Sequence, residues 1–255
     1  MKNVFTFLLL LFSLLCNGQS PKLFTTDKEL SSSLINQIYQ DRNGFIWIAT
    51  EDGLNRYDGA KFTIYKHEPN NEHSLAHNFV RTVFEDSKGH LLIGTYIGIQ
   101  MYDPATDNFT PLAKLEDTGE TLESNINSFI ERKNGEIWVS GNVLCKLDIK
   151  DHLLTVRKVD IAVTSPGSLF EDKKQNVWMA KGEEGVYQLT PDNQLTLHLS
   201  KDNGYVKSIC EDQRGNIYVG SIRKGLFIYD KERKTFVPVD LKEKGELPVC
   251  FLYSG

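Results

Sequence analysis

The stretch INQIYQDRNGFIWIATEDGLNRYDGAKFTIY, running from Ile35 to Tyr65, returns four more times along a chain of 255 residues. The copies align on a turn of the form Asp-x-x-Gly: Asp41 with Gly44, Asp86 with Gly89, Arg132 with Gly135, Asp172 with Gln175, and Asp212 with Gly215. Successive copies begin 45, 46, 40 and 40 residues apart. A fixed internal period has to be read before any single motif, because it decides the architecture.

Each copy holds the same four short segments, four to six residues long, rich in β-branched and aromatic types and bounded by Gly, Asn, Asp or Pro. That is the signature of strands, and no segment has a helical period. The first strand is an apolar alternation ending in an acid, as in Val80-x-x-Val83 and Val206-x-x-Ile209. The second centres on Trp47, Trp138, Trp178 or Tyr218, with Leu92 in the second copy. The third follows Gly53, Gly98, Gly185 or Gly225, and the fourth is anchored by Phe62, Phe109, Leu154, Leu195 or Phe236. The opening Asp can accept backbone N–H groups two residues on, and the closing Gly supplies positive φ. The tryptophans are expected to fill the space between neighbouring sheets.

Four strands repeated every 40–46 residues predict an all-β β-propeller of four-stranded antiparallel blades. Five complete units are expected, at about 35–66, 80–112, 126–159, 167–199 and 206–239, and a sixth begins at 247–255 with Val249-Cys250-Phe251-Leu252-Tyr253. The chain then reads either as the front of a longer protein or as five units that close on themselves. In the second case Leu23-Phe24-Thr25 could supply the fourth strand of a closing blade.

Ahead of the repeats, Lys2, the apolar run Val4 to Leu15 and the polar exit at Asn17-Gly18-Gln19 read as a signal peptide over 1–18. The run is too short for the roughly 20 residues of a membrane-spanning helix. Lipidation at Cys16 is the rival reading, but Leu15 stands where a small residue is wanted. Cys145, Cys210 and Cys250 have no zinc or disulfide spacing. A net charge of −5 with no basic run argues against nucleic acid as a partner. No metal or cofactor is expected, because the histidines form no HxH or HExxH pattern and no loop carries a dense Asp set. No catalytic residue is named either, since the acids recur at equivalent turn positions rather than as a facing pair.

The skeleton Asp41-x-x-Gly44-x-x-Trp47-x-x-Thr50-x-x-Gly53-Leu54-x-x-Tyr57-Asp58, with Phe62 and Tyr65, resembles the two-component regulator propeller repeat of bacterial hybrid sensor kinases. The resemblance runs from about Leu23 to the end, and departs at Arg132, Gln175 and Ser140-Gly141-Asn142-Val143. It implies a periplasmic sensor of many repeats, followed in such proteins by a β-sandwich, a membrane helix and a histidine kinase, often with receiver and DNA-binding output. Such sensors in Bacteroidetes recognise polysaccharide breakdown products, and the expected partners are therefore a glycan or other small ligand, the remainder of the same chain and a second copy of it. A secreted scaffold that binds a protein, and a glycan-active enzyme, are the alternatives.

Loops on a fixed scaffold carry binding, and the long connections Lys66–Phe79 and Leu112–Asn125 mark one rim. Its candidates are Asn71, His73, His77, Asn78, Arg81, Glu123, Asn125 and Asn127, offering the amide, carboxylate and cationic groups that a carbohydrate site uses.

Overall fold

The structure is a computed structural model, which describes residues 23–26, 29–199 and 204–239. The leader at 1–18 and the start of a sixth unit at 247–255 lie outside the described residues. No helix occurs among those described; the chain forms five sheets in succession. Sheet one is β1 (Ile35–Gln40), β2 (Ile46–Thr50), β3 (Gly53–Tyr57) and β4 (Phe62–Tyr65). Sheet two is β5 (Val80–Glu85), β6 (Leu91–Thr95), β7 (Ile99–Asp103) and β8 (Asn108–Phe109). Then come β9 (Lys114–Leu115), β10 (Ser128–Glu131), β11 (Ile137–Ser140), β12 (Leu144–Lys150) and β13 (Leu153–Lys158). Sheet four is β14 (Leu169–Glu171), β15 (Val177–Lys181), β16 (Gly185–Leu189) and β17 (Leu195–Leu199). Sheet five is β18 (Val206–Glu211), β19 (Ile217–Ser221), β20 (Gly225–Asp230) and β21 (Thr235–Pro238).

Within each sheet the four strands pair antiparallel in chain order, the meander of a propeller blade. Two details differ from the sequence reading. The third sheet has a fifth strand: β9, in the connection after sheet two, pairs parallel with β13 through Lys114↔Thr155 and Leu115↔Val156. Leu23, Phe24 and Thr25 form no strand. Phe24 instead packs its ring on Tyr57 and Phe62, with centroids 5.2 and 5.0 Å away.

The turn between the first two strands works through its Asp. Asp41 Oδ1 accepts the N–H groups of Asn43 and Phe45, and Oδ2 accepts the indole N–H of Trp47 at 2.8 Å. Asp172 treats Lys174, Asn176 and Trp178 in the same way. One carboxylate thus satisfies two turn donors and the one polar atom of a buried indole. The fourth residue closes the turn. The N–H groups of Gly44, Gly89, Gly135 and Gly215 donate to the carbonyls of Asp41, Asp86, Arg132 and Asp212 at 2.8–3.0 Å. Their φ values of 87°, 94°, 83° and 79° lie in the left-handed region that a side chain disfavours. In sheet four Gln175 closes the same bond, to the Asp172 carbonyl, at φ 68°. These glycines are shapers of the turn, and none of them lines the spaces at the opposite end of the array described below.

Where a copy departs from the pattern at the Asp or the Trp, another residue takes over. In sheet two Leu92 replaces the Trp, and His90 Nδ1 lies 2.7 Å from Asp86 Oδ2. In sheet three Arg132 replaces the Asp, and the Trp138 indole donates to Glu136 Oε2 at 3.0 Å, while the Arg132 guanidinium lies 4.6 Å from the indole centroid.

Core residues lie between successive sheets. Trp47, Ala49 and Leu54 of sheet one pack with Val80, Val83, Leu91, Ile93, Tyr102 and Phe109 of sheet two. Leu92 and Met101 meet Ile126, Phe129 and Ile137; Trp138 and Leu144 meet Leu169, Val177 and Met179; Trp178 and Val186 meet Val206, Ile209 and Phe236. An indole buried this way is worth about 4–6 kcal/mol of gross transfer free energy at 25 cal/mol per Å². A polar clamp repeats beside each apolar joint. The main-chain N–H groups of Arg42, Ser87, Lys133 and Lys173, each following the turn's first residue, donate to Glu85, Glu131, Glu171 and Glu211 of the next sheet at 2.6–3.0 Å.

Sheet one has no sheet before it among the described residues, and its exposures record that. Val83, Phe129, Leu169 and Ile209 occupy one repeat position and are at most 8 % exposed, whereas Ile38 at the same position is 61 % exposed. Tyr102 and Phe109 hold Trp47, as Tyr229 and Phe236 hold Trp178. In sheet one the equivalent pair, Tyr57 and Phe62, holds Phe24. Val83→Asp should therefore lower the unfolding free energy by roughly 3 kcal/mol or more through burial of an unpaired carboxylate. Ile38→Asp should change it by about 0.5 kcal/mol or less, both read from urea titrations; equal losses at the two positions would sink the open-face account.

Glu136 supplies a pH test. Burial alone would raise its carboxyl, but hydrogen bonds with Lys146, Trp138 and Asn134 hold it down at about 2. A depressed folded value gives stability that is complete above the ordinary value of 4.5 and is lost as pH falls toward 2. The urea midpoint of the natural protein should fall more steeply across that window than that of Glu136→Gln, and parallel slopes would remove Glu136 from the account.

Candidate functional site

The strands alternate in direction, so the connections between sheets and the β2–β3 type turns share one end of the array, opposite the Asp turns. Both long connections are at this end and both are ordered by their own polar groups. In the first, His67 donates its N–H to Asn78 Oδ1, His67 Nδ1 lies 2.9 Å from the Leu75 carbonyl, and Ser74 Oγ donates to the Asn71 carbonyl. Asn78 Nδ2 ties the loop to Asp52 in the β2–β3 turn at 3.1 Å. Leu75, fully buried, anchors the loop in the joint between sheets one and two. The second connection folds back on itself through the Lys114↔Thr121 bridge and rests on sheet three through β9.

The eight candidate residues fall into separate groups. His77 stands with its ring 5.6 Å from that of Tyr96, its Nδ1 accepting the Phe79 N–H, and the Arg81 guanidinium lies 5.8 Å from the Phe79 centroid. Glu123 and Asn125 line a cavity of about 620 Å³ together with Tyr96, Ile97, Leu112 and Ser124. Tyr96 is therefore the hinge between these two groups. Asn71 lies on the far side of the loop, in the wall of a neighbouring groove of about 720 Å³ that also includes His67, Gln100, Leu112 and His152. The two spaces share Ile97, Leu112 and Thr121. His73 and Asn78 are engaged by the scaffold: His73 Nδ1 is 3.2 Å from the Phe109 carbonyl, and Asn78 bridges His67 and Asp52. Asn127 lies on the inner side, donating to the Pro166 carbonyl of the next sheet's approach at 3.0 Å.

Tyr96 was not among the sequence candidates. It follows Thr95 in the β6–β7 turn, its N–H bonded to the Phe79 carbonyl, and is 53 % exposed. The signal available was an aromatic inside the Thr95-x-x-Gly98 turn, where Glu51 stands in the first copy. Tyr205, 45 % exposed, sits at the same end against Gly182. In the cavity wall Asn125 Oδ1 is buried without a hydrogen-bond partner, one of two such side-chain atoms among the described residues. An aromatic ring, a carboxylate and an amide in one wall suit reversible binding of a molecule that has an apolar face and several polar groups. Among the described residues no group of three or more His, Cys, Asp or Glu is arranged to hold a metal, and no helix is long and apolar enough to cross a membrane.

Comparison with known proteins agrees with this architecture. The family described as two component regulator propeller matches residues 29–52, 74–96 and 200–223, each match taking in a first strand or its approach and the Asp turn or second strand that follows. Histidine kinase P4 of Formosa agariphila is 37 % identical over 83 residues, which is 30 % of this chain and 6 % of the kinase. The extracellular domain of the one component system BT4673 from B. thetaiotaomicron superposes with a TM-score of 0.69 at 18 % identity, over 88 % of this chain and 33 % of its own. The extracellular domain of the hybrid two component system BT3049 gives 0.55 at 18 % identity, over 89 % and 37 %. Virginiamycin B lyase from Staphylococcus aureus gives 0.61 at 13 % identity, over 86 % and 72 %. The chain thus spans about a third of the two extracellular domains and a small part of the kinase. Three segments of the chain thus match the two-component regulator propeller repeat, and its fold is a run of five successive four-stranded meanders.

Proposed function

We propose that this propeller is the exported, ligand-sensing part of a hybrid two-component signalling protein, and that its rim recognises oligosaccharides released from polysaccharides whose utilisation genes the protein controls. The observation that carries the ligand class is the cavity walled by the half-exposed Tyr96 together with Glu123 and Asn125. A sugar ring presents an apolar face for stacking and hydroxyls for a carboxylate and an amide oxygen. The kinase relative and the extracellular domains of similar fold support the signalling context. In the whole protein this segment stands in the periplasm behind a cleaved leader, and a membrane helix and kinase follow it. Ligand bound at the rim then shifts a homodimer between two arrangements by its different affinity for each.

A protein-binding scaffold is the second reading. It draws on the similar fold of PorZ, a surface component of the type-IX secretion system of Porphyromonas gingivalis, at a TM-score of 0.59 and 16 % identity. An enzymatic reading has the lyases of similar fold behind it; in this cavity the Ser124 hydroxyl is engaged by the scaffold, accepting the Asn142 N–H at 3.0 Å.

Titration calorimetry of the chain against a panel of neutral and acidic oligosaccharides tests the ligand class. At least one should bind, and Tyr96→Ala should weaken it by about tenfold, the loss of one stacking contact of roughly 1.4 kcal/mol. Glu123→Gln should weaken it further without changing the melting temperature. Absence of binding across the panel, or binding indifferent to Tyr96, would overturn the carbohydrate reading.

A further inference from the structure

The groove of about 720 Å³ is lined from sheets two and three and from both long connections. Ile97 enters it from the β6–β7 turn, Leu112 from the second connection, and Leu153 and Leu154 from the start of β13. Ile97 and Leu112 also wall the cavity that holds Tyr96, so the two spaces adjoin.

The repeat shows how far this lining departs from the scaffold's habit. The residue just before the fourth-strand anchor is Lys61, Asn108, Gln194 or Thr235 in four copies; in the third it is Leu153, which is 67 % exposed. Ile97 likewise stands where the first copy has Asp52, and Tyr96 where it has Glu51. A lone exposed Leu needs no explanation, but apolar side chains from three separate segments lining one groove mark a binding surface. The tight loop Asp151-His152, with φ of 48° and 63°, joins the paired Lys150 and Leu153 as a two-residue hairpin loop requires. Leu153 is therefore held in the wall by a rigid turn.

Several polar residues of the wall are engaged by the scaffold. Gln100 accepts the Ala76 N–H and donates to the Ser74 and Thr110 carbonyls. Asn71 is bonded to Glu68 and to the His73 N–H, and His67 Nδ1 to the Leu75 carbonyl. None of the lining residues is Phe, Tyr or Trp, so a second sugar ring finds no aromatic platform here. We propose that the groove binds an aliphatic chain, and that the ligand is a glycan carrying such a chain as an alkyl or acyl group, with its sugar end in the cavity beside Tyr96. The chain site rests on the groove alone; only the sugar end rests on the carbohydrate binding proposed for the rim.

Calorimetry of the 255-residue chain with β-glucosides running from methyl to octyl, each below its micelle concentration, tests it. Each methylene that enters the groove should raise affinity about two- to fourfold, and the heat capacity of binding should become more negative with chain length. Leu153→Gln should weaken octyl glucoside about threefold to tenfold and leave methyl glucoside unchanged. Leu197→Gln, at an exposed leucine of sheet four, should alter neither. Affinity indifferent to chain length, or a gain that Leu153→Gln leaves intact, overturns the chain site. Tyr96→Ala should weaken every glucoside by the same factor. A chain-length gain that ignores Tyr96 keeps the chain site and overturns the sugar end together with the rim reading. Octanoate, which brings the chain without a sugar, should bind at least about tenfold more weakly than octyl glucoside; equal binding makes the occupant a fatty acid and overturns the glycan.

Discussion

A single carboxylate at the start of the first turn organises four of the five sheets. Asp41 and Asp172 each hold two backbone N–H groups with one oxygen and an indole N–H with the other. The indole can then lie flat in a dry joint with its only polar atom satisfied, and its large apolar area becomes available to the neighbouring sheet. Local turn geometry and long-range packing are thereby set by the same side chain. The departures show how strict the requirement is. With Leu92 there is no indole to satisfy, and His90 occupies the spare oxygen of Asp86; with Arg132 there is no carboxylate in the turn's first place, and Glu136 supplies one from two residues before the Trp.

The joint between sheets is directional. The indole comes from the earlier sheet and is received by a Tyr and Phe of the later one in the first and fourth joints. The clamping glutamate comes from the later sheet and receives an N–H from the earlier one. Gln40, in the first sheet, replaces that glutamate and donates to its own turn at Gly44 instead. In sheet one Phe24 fills part of the place an indole takes elsewhere.

Much of this was legible in the sequence because it is local and repeated. The Asp-x-x-Gly turns, the strand alternation and the position of Trp47, Trp138 and Trp178 all follow from spacings within about fifteen residues, and five aligned copies reinforce one another. Gly89, Gly135 and Gly215 could be named as turn closers from spacing alone, because a four-residue turn contains everything that fixes their φ. The features that escaped depend on contacts that no local spacing encodes. The β9 pairing rests on two residues meeting a strand some forty positions later, in parallel. The acid closing four of the five first strands was visible, but its partner, a backbone N–H in the previous sheet, was not. At the rim the two long connections could be placed together from the sequence, because length itself is a sequence property. Which residues face the cavity was not legible: His73 and Asn78 bond to the scaffold and hold the loop, while Tyr96 comes from a short turn that composition does not distinguish.

The place of Phe24 has a consequence for how such a chain is assembled. Residues made before sheet one contribute to covering its rear face, whereas the front face of every sheet waits for the sheet made after it. A chain synthesised from its N-terminus therefore matures one repeat behind the point of growth, with an adhesive surface that moves forward as each new meander arrives. Arrest at a repeat leaves that surface carrying the uncovered apolar side chain of its second strand and a backbone N–H with no glutamate to receive it.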